Sequence, residues 1–235
     1  MIRCLLYAGL LCSGVVQAEW KVSTDFPGGS AKVEVMDAGK GRLEIRPAAH
    51  AGLGWECWWS FKLSGIKPGE LVTLRVSGMD FALPERASFS YDGSHWQQTQ
   101  VGKVEKGHVT YELAFDRSEV WLAWGPPFQL SDAQALIQRT VARGVGASAF
   151  ELTRSKGGLP VPAMKWTPVQ KKGRGLWLEA RQHAWESGSS WVCAGLVDWL
   201  CSDDAAAKEL RESSTIVVVP IMDVDNVEQG AGGKD

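Results

Sequence analysis

The chain has 235 residues, with 25 Lys and Arg against 27 Asp and Glu, which gives a formal net charge of −2 at neutral pH. This near-neutral, mixed balance lacks the basic excess of nucleic-acid-binding domains, so we expect neither nucleic acid nor an anionic membrane surface as a partner. The length suits one large domain or two modest ones.

The first 18 residues have the pattern of a targeting segment. Arg3 gives a basic start, an apolar run too short for a comfortable transmembrane helix follows, and small residues at Val16-Gln17-Ala18 precede an expected cleavage point. We therefore expect a signal peptide over residues 1–18 and export of the mature chain to the periplasm or the extracellular space. No later segment is apolar enough to span a membrane.

Residues 19–128 alternate short β-rich runs with Gly- and Pro-containing turns, which predicts an antiparallel β-sandwich. Asp92-Gly93 is a favoured hairpin turn because it tolerates the positive φ that tight turns need. The expected strands are Lys32–Met36, Arg42–Pro47, Glu56–Leu63, Leu71–Ser77, Ala87–Tyr91, Val109–Phe115 and Glu119–Trp124.

Tryptophans crowd this sandwich, at Trp55, Trp58, Trp59, Trp96, Trp121 and Trp124. We expect most of them to pack in the core or against the next domain, as large aromatic side chains usually do. Exposed aromatic rings on a sandwich also stack on sugars, so a glycan-binding surface is the alternative.

After Gly125-Pro126-Pro127 the pattern changes, and residues 129–235 predict an α/β domain with a mixed sheet. Ser131-Asp132 is a plausible cap for a first helix. The further expected elements are strands at Ala147–Arg154, Leu159–Trp166, Gly175–His183 and Thr215–Met222, and helices at Ser189–Cys201 and Ala205–Ser213. The Gly-rich end of the chain looks unstructured.

His183 and Glu186 stand three residues apart where the apolar run from Gly175 ends. In open α/β sheets, ligands bind at the carboxyl ends of the strands. An imidazole and a carboxylate at this spacing can face one point, and they are two of the three protein ligands of His₂Glu zinc sites. We therefore take His183 and Glu186 as candidate zinc ligands. A bare His-x-x-Glu also occurs by chance, with a His bonded to a carbonyl and a solvated Glu.

The flanking sequence makes the motif more specific. The runs LEARQHAWESGSSWV, AGLVDWLCSDDAAAKELR and STIVVVPIMDVDNV, within Gly175–Val227, resemble the zinc carboxypeptidase family in its cytosolic-carboxypeptidase-like branch. The segments WWSFKLSG, LRVSGM, FSYDGSHW and WLAWGPPF are similar to the small β-sandwich that precedes the catalytic domain in that branch. The resemblance implies Zn²⁺, hydrolysis of C-terminal peptide bonds, and a peptide or protein C-terminus as substrate. Trp185 and Ser187 replace the usual Pro and Thr and mark a divergent branch.

The resemblance also implies residues that have no match in this sequence. In the family, the third zinc ligand, the general-base Glu and an Asn-Arg pair follow well after the strand expected at Thr215–Met222, so we assign no catalytic residue up to Asp235. Residues 129–235 would then be the N-terminal part of the catalytic domain. We expect the 235-residue chain to bind zinc weakly, if at all, and not to turn over peptides by itself.

Two further residues are candidate substrate contacts through the same resemblance. Arg181 matches the arginine of the family's Ala-Arg-Gln-His run and is expected to brace the site or to line its rim. Lys234 falls near the family arginine that polarises the scissile carbonyl, with a solvated loop charge as its alternative.

Two other functions stay open. An aspartoacylase-like zinc amidohydrolase shares His-x-x-Glu but lacks the preceding sandwich, and a non-catalytic module would use the sandwich to bind glycan or peptide. The cysteines do not decide between them. Cys57, Cys193 and Cys201 match no zinc-ribbon spacing. Cys193 and Cys201 would lie roughly 12 Å apart in one helix, too far for a disulfide.

Overall fold

The structure is a computed structural model that describes residues 19–168 and 174–233. The expected signal peptide therefore lies outside the described residues. The strands are β1 (Lys21–Ser23), β2 (Lys32–Asp37), β3 (Arg42–Arg46), β4 (Ser60–Ser64), β5 (Leu71–Ser77), β6 (Ser88–Ser90), β7 (Gln97–Gln98), β8 (Lys103–Glu105), β9 (His108–Ala114), β10 (Glu119–Ala123), β11 (Ala147–Arg154), β12 (Pro160–Trp166), β13 (Arg174–Glu179) and β14 (Ser214–Val219). The helices are α1 (Leu130–Ala142), α2 (Ser187–Leu200), α3 (Ala205–Ser213) and α4 (Val224–Gln229).

Two five-stranded sheets form the N-terminal domain, with strand orders β1-β4-β10-β6-β7 and β2-β3-β5-β9-β8. Alternate residues of the strands point inward, as Val72, Leu74 and Val76 do along β5, and side chains from both sheets form one buried core. The domain is therefore a β-sandwich.

One strand pair departs from the antiparallel prediction. β3 and β5 run parallel, with Leu43 opposite Leu74, while the other paired neighbours in both sheets are antiparallel. The chain between these two strands crosses to the other sheet to form β4 before it returns. Because such a crossover, and not a hairpin, joins β3 to β5, a parallel pair results.

The C-terminal part is built on a mixed four-stranded sheet with the order β11-β12-β14-β13. β11, β12 and β14 are antiparallel neighbours, and β13 is parallel to β14. Helices α1 and α2 pack with this sheet around a core that includes Leu136, Trp166, Val197 and Val218. No helix within 19–168 and 174–233 has the length and apolar character that crossing a membrane requires.

The strand expected over Gly175–His183 is shorter than predicted. β13 ends at Glu179, opposite Val219 of β14. Arg181 has a φ of 61°, in the left-handed region, and so interrupts the extended backbone. His183 consequently lies in the loop after the strand, and the predicted strand end was wrong.

The chain after β14 is also more ordered than expected. Helix α4 begins after Asp223, whose side chain accepts a hydrogen bond from the Asn226 backbone N–H, and it ends at Gly230 with a φ of 69°. Ala231 is buried, and Gly233 pairs with Gly54 of the sandwich. The expectation of an unstructured Gly-rich end was therefore wrong for residues 231–233.

Candidate metal centre

The loop between β13 and α2 carries both candidate zinc ligands, and its own hydrogen bonds fold it. The Glu186 N–H donates to the His183 carbonyl at 3.2 Å, which closes a tight turn between the two. The Ser189 hydroxyl donates to the Glu186 carbonyl at 2.8 Å and accepts from the Arg181 N–H at 3.0 Å. The loop is therefore held at the carboxyl end of β13, the sheet edge where α/β proteins place ligands.

The side chains of His183 and Glu186 converge. Nδ1 of His183 lies 3.1 Å from Oε1 of Glu186, and the side chains remain 39% and 46% exposed. Two atoms that each lie 2.0–2.2 Å from one tetrahedral zinc ion are about 3.4 Å apart. The pair therefore fits two ligands of one solvent-accessible metal ion.

Arg181 lies inside the protein and not on the rim of the site. Its side chain is buried; Nε donates to the Ala184 carbonyl at 2.6 Å and Nη1 to the Phe128 carbonyl at 3.0 Å. Burial lowers the pKa of the guanidinium to about 10, against the opposing charges of Asp223 and Glu186. Arg181 thus binds two backbone carbonyls, and its contact with substrate stays a prediction.

Backbone hydrogen bonds through residues 231–233 connect the loop to the sandwich. The Trp185 N–H donates to the Gly232 carbonyl at 3.0 Å, and the Gly233 N–H donates to the Leu53 carbonyl at 3.0 Å. A Cβ at Gly54 would lie 1.3 Å from the Gly233 carbonyl oxygen, so only glycine allows this approach. Residues 231–233 therefore tie the ligand loop to a loop of the N-terminal domain.

Aromatic rings extend this contact to the surface. Trp185, which stands between the two candidate ligands, packs edge-on against Trp124 at 5.0 Å and Phe81 at 6.4 Å between ring centroids. Phe81 in turn contacts Trp55 at 5.1 Å. The sandwich thus places aromatic side chains beside His183 and Glu186. The sequence did not identify Phe81 as part of the site, since a lone Phe in a loop carries no motif.

Asp225, in α4, connects two elements of the α/β domain. Its carboxylate accepts from the Ser155 hydroxyl at 2.6 Å and from the Gly157 N–H at 2.8 Å. It therefore fastens the β11–β12 hairpin to α4. A carboxylate that binds the backbone of a distant hairpin was not recognisable from the sequence.

The other described histidines, His50, His95 and His108, lie in the sandwich. The candidate Lys234 lies outside the described residues, so its role stays a prediction. Across the part of the chain that the structure describes, no group of three or more His, Cys, Asp or Glu side chains is placed to hold a metal ion. The described cysteines Cys57, Cys193 and Cys201 are all free thiols.

Comparisons with known proteins agree with this architecture. The family model described as cytosolic carboxypeptidase N-terminal domain matches residues 22–124, and the model described as zinc carboxypeptidase matches residues 143–231. Cytosolic carboxypeptidase 1 of Gallus gallus is 36% identical over 220 residues, and the match covers 74% of this chain and 18% of that protein. An uncharacterised protein of Zymomonas mobilis is 26% identical over 217 residues, which cover 89% of this chain and 55% of that protein.

Solved structures give the same fold. The metallo-carboxypeptidase from Burkholderia cenocepacia superimposes with a TM-score of 0.80 at 21% identity, over 90% of this chain and 58% of that one. The metallo-carboxypeptidase from Pseudomonas aeruginosa, in complex with (2-guanidinoethylmercapto)succinic acid, gives 0.80 at 21% identity, over 92% and 60%. The chain thus spans little more than half the length of these structures. The predicted resemblance and the order of the two domain types are confirmed.

Proposed function

We propose that this chain, which carries a cytosolic carboxypeptidase N-terminal domain followed by a zinc carboxypeptidase region, belongs to a zinc-dependent enzyme that hydrolyses C-terminal peptide bonds. The observation that carries the proposal is the 3.1 Å approach of His183 Nδ1 to Glu186 Oε1. The pair lies within the region that matches the zinc carboxypeptidase model. The substrate would be the C-terminus of a peptide or protein.

In this proposal His183 and Glu186 hold the metal. A zinc ion held there would supply a Lewis acid for polarising a peptide carbonyl and for activating water. The loop's hydrogen bonds keep the two side chains directed to one point, and the exposed side of the pair leaves room for a peptide to approach. A catalytic zinc site takes a third protein ligand. Within residues 19–168 and 174–233 no such ligand stands beside the pair, so we expect weak zinc binding and no turnover from these residues alone.

A peptidase assay tests the function directly. The 235-residue chain and a version extended along its reading frame past Asp235 are incubated with peptides, and released C-terminal amino acids are measured with zinc and with a chelator. We expect zinc-dependent release from an extended chain that contains a further His and Glu, and none from the 235-residue chain. His183→Ala should abolish release and His95→Ala, which changes an exposed His of the sandwich, should not. Release that survives His183→Ala would overturn the proposal.

We also propose export of the mature chain, on the pattern of residues 1–18. Expression from the natural start, followed by N-terminal sequencing of the protein in the periplasmic or culture fraction, tests this. A mature N-terminus near Glu19 would support export, and retention of Met1 in the cytoplasmic fraction would contradict it.

A glycan- or peptide-binding module is the second candidate, because Trp55 and Phe81 are 49% and 60% exposed on the sandwich. The two rings meet at 68°, so they form a corner and not the flat platform on which a sugar ring stacks. Tryptophan fluorescence during titration with oligosaccharides, in the wild type and in Trp55→Ala, separates the two functions. Sugar binding that is lost in Trp55→Ala, without zinc uptake, would favour the module. The aspartoacylase-like alternative is less well supported, because its hydrolases lack the domain matched over residues 22–124.

A further inference from the structure

Arg181 has an unusual backbone and an unusual environment at once. Among the described residues it is the one non-glycine residue with a positive φ. Left-handed backbone is uncommon for a long side chain, and it persists where the surrounding structure imposes it. The residue is also only 3% exposed, and a buried charge is tolerated only when it is paired or fully hydrogen-bonded. Both features occur two residues before His183.

The bonds of the guanidinium explain what holds it there. Nε donates to the carbonyl of Ala184, which lies in the chain between His183 and Glu186. Nη1 donates to the carbonyl of Phe128, in the linker between β10 and α1. Hydrogen bonds from a charged donor are stronger than neutral ones. One planar group therefore joins the ligand loop to the linker between the domains.

The sandwich contacts the same guanidinium. It lies over the ring of Trp58, 5.8 Å from the centroid, at a distance where a cation is attracted to an aromatic face. The Trp58 Nε1–H is fixed in turn by the Gly28 carbonyl at 2.9 Å. Behind the loop, the Asp223 N–H donates to the Arg181 carbonyl at 3.1 Å. Arg181 is thus held by the linker, by the N-terminal domain and by the turn that leads into α4.

We propose that Arg181 is a positioning residue for the candidate zinc pair: its guanidinium holds the Ala184 carbonyl, and with it the chain between His183 and Glu186, against the Phe128 linker. The inference rests on the proposed function, because it assigns that pair to zinc. The inference goes beyond the proposed function because it makes contacts with the N-terminal domain and the linker necessary for the geometry of the metal site. The affinity for metal then depends on contacts outside the α/β domain.

Two substitutions and two controls test this in the 235-residue chain. Arg181→Met removes both donors, and Arg181→Lys keeps the charge but leaves a single nitrogen for two carbonyls. Neither introduces a glycine, so the backbone at φ 61° is equally restricted in both. Arg154→Met is the matched surface control, since Arg154 lies on the exposed β11–β12 hairpin. Leu113→Ala is the stability control, because it removes a buried side chain of the sandwich far along the sequence from the loop.

Cobalt absorption and amide hydrogen exchange give two separate readouts. We expect Arg181→Met to weaken the apparent Co²⁺ affinity at least tenfold and to change the intensity of its visible bands, with Arg181→Lys intermediate. In the metal-free protein, the amides of residues 182–187 should exchange at least tenfold faster in Arg181→Met. Leu113→Ala should lower thermal stability without either effect, and Arg154→Met should behave as the wild type.

The outcomes separate the two proposals. A wild type that takes up neither Co²⁺ nor Zn²⁺ would show that the pair does not hold metal in the 235-residue chain, and hydrogen exchange would still decide whether Arg181 holds the loop. Unchanged exchange over 182–187 and unchanged cobalt affinity in Arg181→Met would overturn the positioning role. The positioning role would also be overturned if Leu113→Ala, at a similar loss of thermal stability, weakened cobalt binding and sped up exchange over 182–187 as much as Arg181→Met. The effects of Arg181→Met would then follow from lower stability alone.

Discussion

The core of the sandwich and the edge of the α/β sheet bury their apolar side chains to different extents. In the sandwich, the inner faces of both sheets close on one core, and Trp59, Phe61 and Leu122 are fully buried. In the α/β domain, β13 forms an edge of the described sheet. Trp177 on β13 and Val192 on α2 are 52% and 75% exposed. The candidate chemistry belongs to neither core. It lies on a loop where the domains meet, so stability and site geometry should respond to different substitutions.

The largest expected effect is in the sandwich core. Trp59→Ala should lower the free energy of unfolding by about 3–5 kcal/mol, because it removes a fully buried aromatic side chain and leaves a cavity. The same substitution at the half-exposed Trp177 should change it by less than about 1 kcal/mol. Equilibrium urea unfolding followed by circular dichroism measures both. Equal losses would show that the edge strand is as well packed as the sandwich core.

The contact between the domains comes next. Gly54 and Gly52 both have a positive φ, of 90° and 75°. A Cβ at Gly54 would strike the Gly233 carbonyl, whereas a Cβ at Gly52 would have no surrounding atom within 4 Å. Both alanine substitutions should add backbone strain, and Gly54→Ala should destabilise by about 2 kcal/mol more because of the clash. Urea unfolding of the matched pair isolates that difference. Equal values would mean that the domains do not rely on this contact.

A smaller effect should appear within the α/β domain. Asp225→Ala removes the acceptor of the Ser155 hydroxyl and the Gly157 N–H, and should lower the free energy of unfolding by about 1.5 kcal/mol. A double-mutant cycle with Ser155→Ala measures the coupling between the two side chains. Strict additivity would contradict a direct bond between Ser155 and Asp225.

The smallest effect is a pH dependence in the sandwich. The backbone N–H of His95, its side chain and the Ser94 N–H hold the pKa of the Asp92 carboxyl below its usual range. A pKa depressed by folding adds stability above the unfolded value of about 3.9, and this is lost as the pH falls through the folded value. The gap in unfolding free energy between wild type and Asp92→Ala should therefore be constant near neutral pH and shrink in acid. A gap that grows in acid would contradict this.

The fold was predictable where local pattern decides it. Leu71–Ser77 and Ala147–Arg154 show strand composition bounded by turns, and both strands were predicted residue for residue. The six-residue α4 was missed because it is too short for its one apolar pair, Val224 and Val227, to establish a helical period. Asp223 before it and Gly230 after it were readable as end signals. The boundary between residues 128 and 129 stays a prediction.

What could not be predicted depends on tertiary contacts. The parallel neighbours β3 and β5 each have an ordinary strand pattern, which does not identify the partner strand. The motif of His183 and Glu186 was visible in the sequence, and their roles stay predictions. The burial of Arg181 was not visible, because its partners are backbone carbonyls, one of them 53 residues away. A side chain that binds the backbone of a distant segment carries no spacing signal.

Zinc binding to the 235-residue chain tests most directly whether the loop between β13 and α2 forms a metal site. The measurement is a competition titration against a chromophoric chelator, with the wild type, His183→Ala, Glu186→Gln and His95→Ala. We predict one weak site whose affinity falls at least tenfold in His183→Ala and in Glu186→Gln and is unchanged in His95→Ala. A tightly held zinc ion, or uptake that survives both substitutions in the loop, would contradict the account.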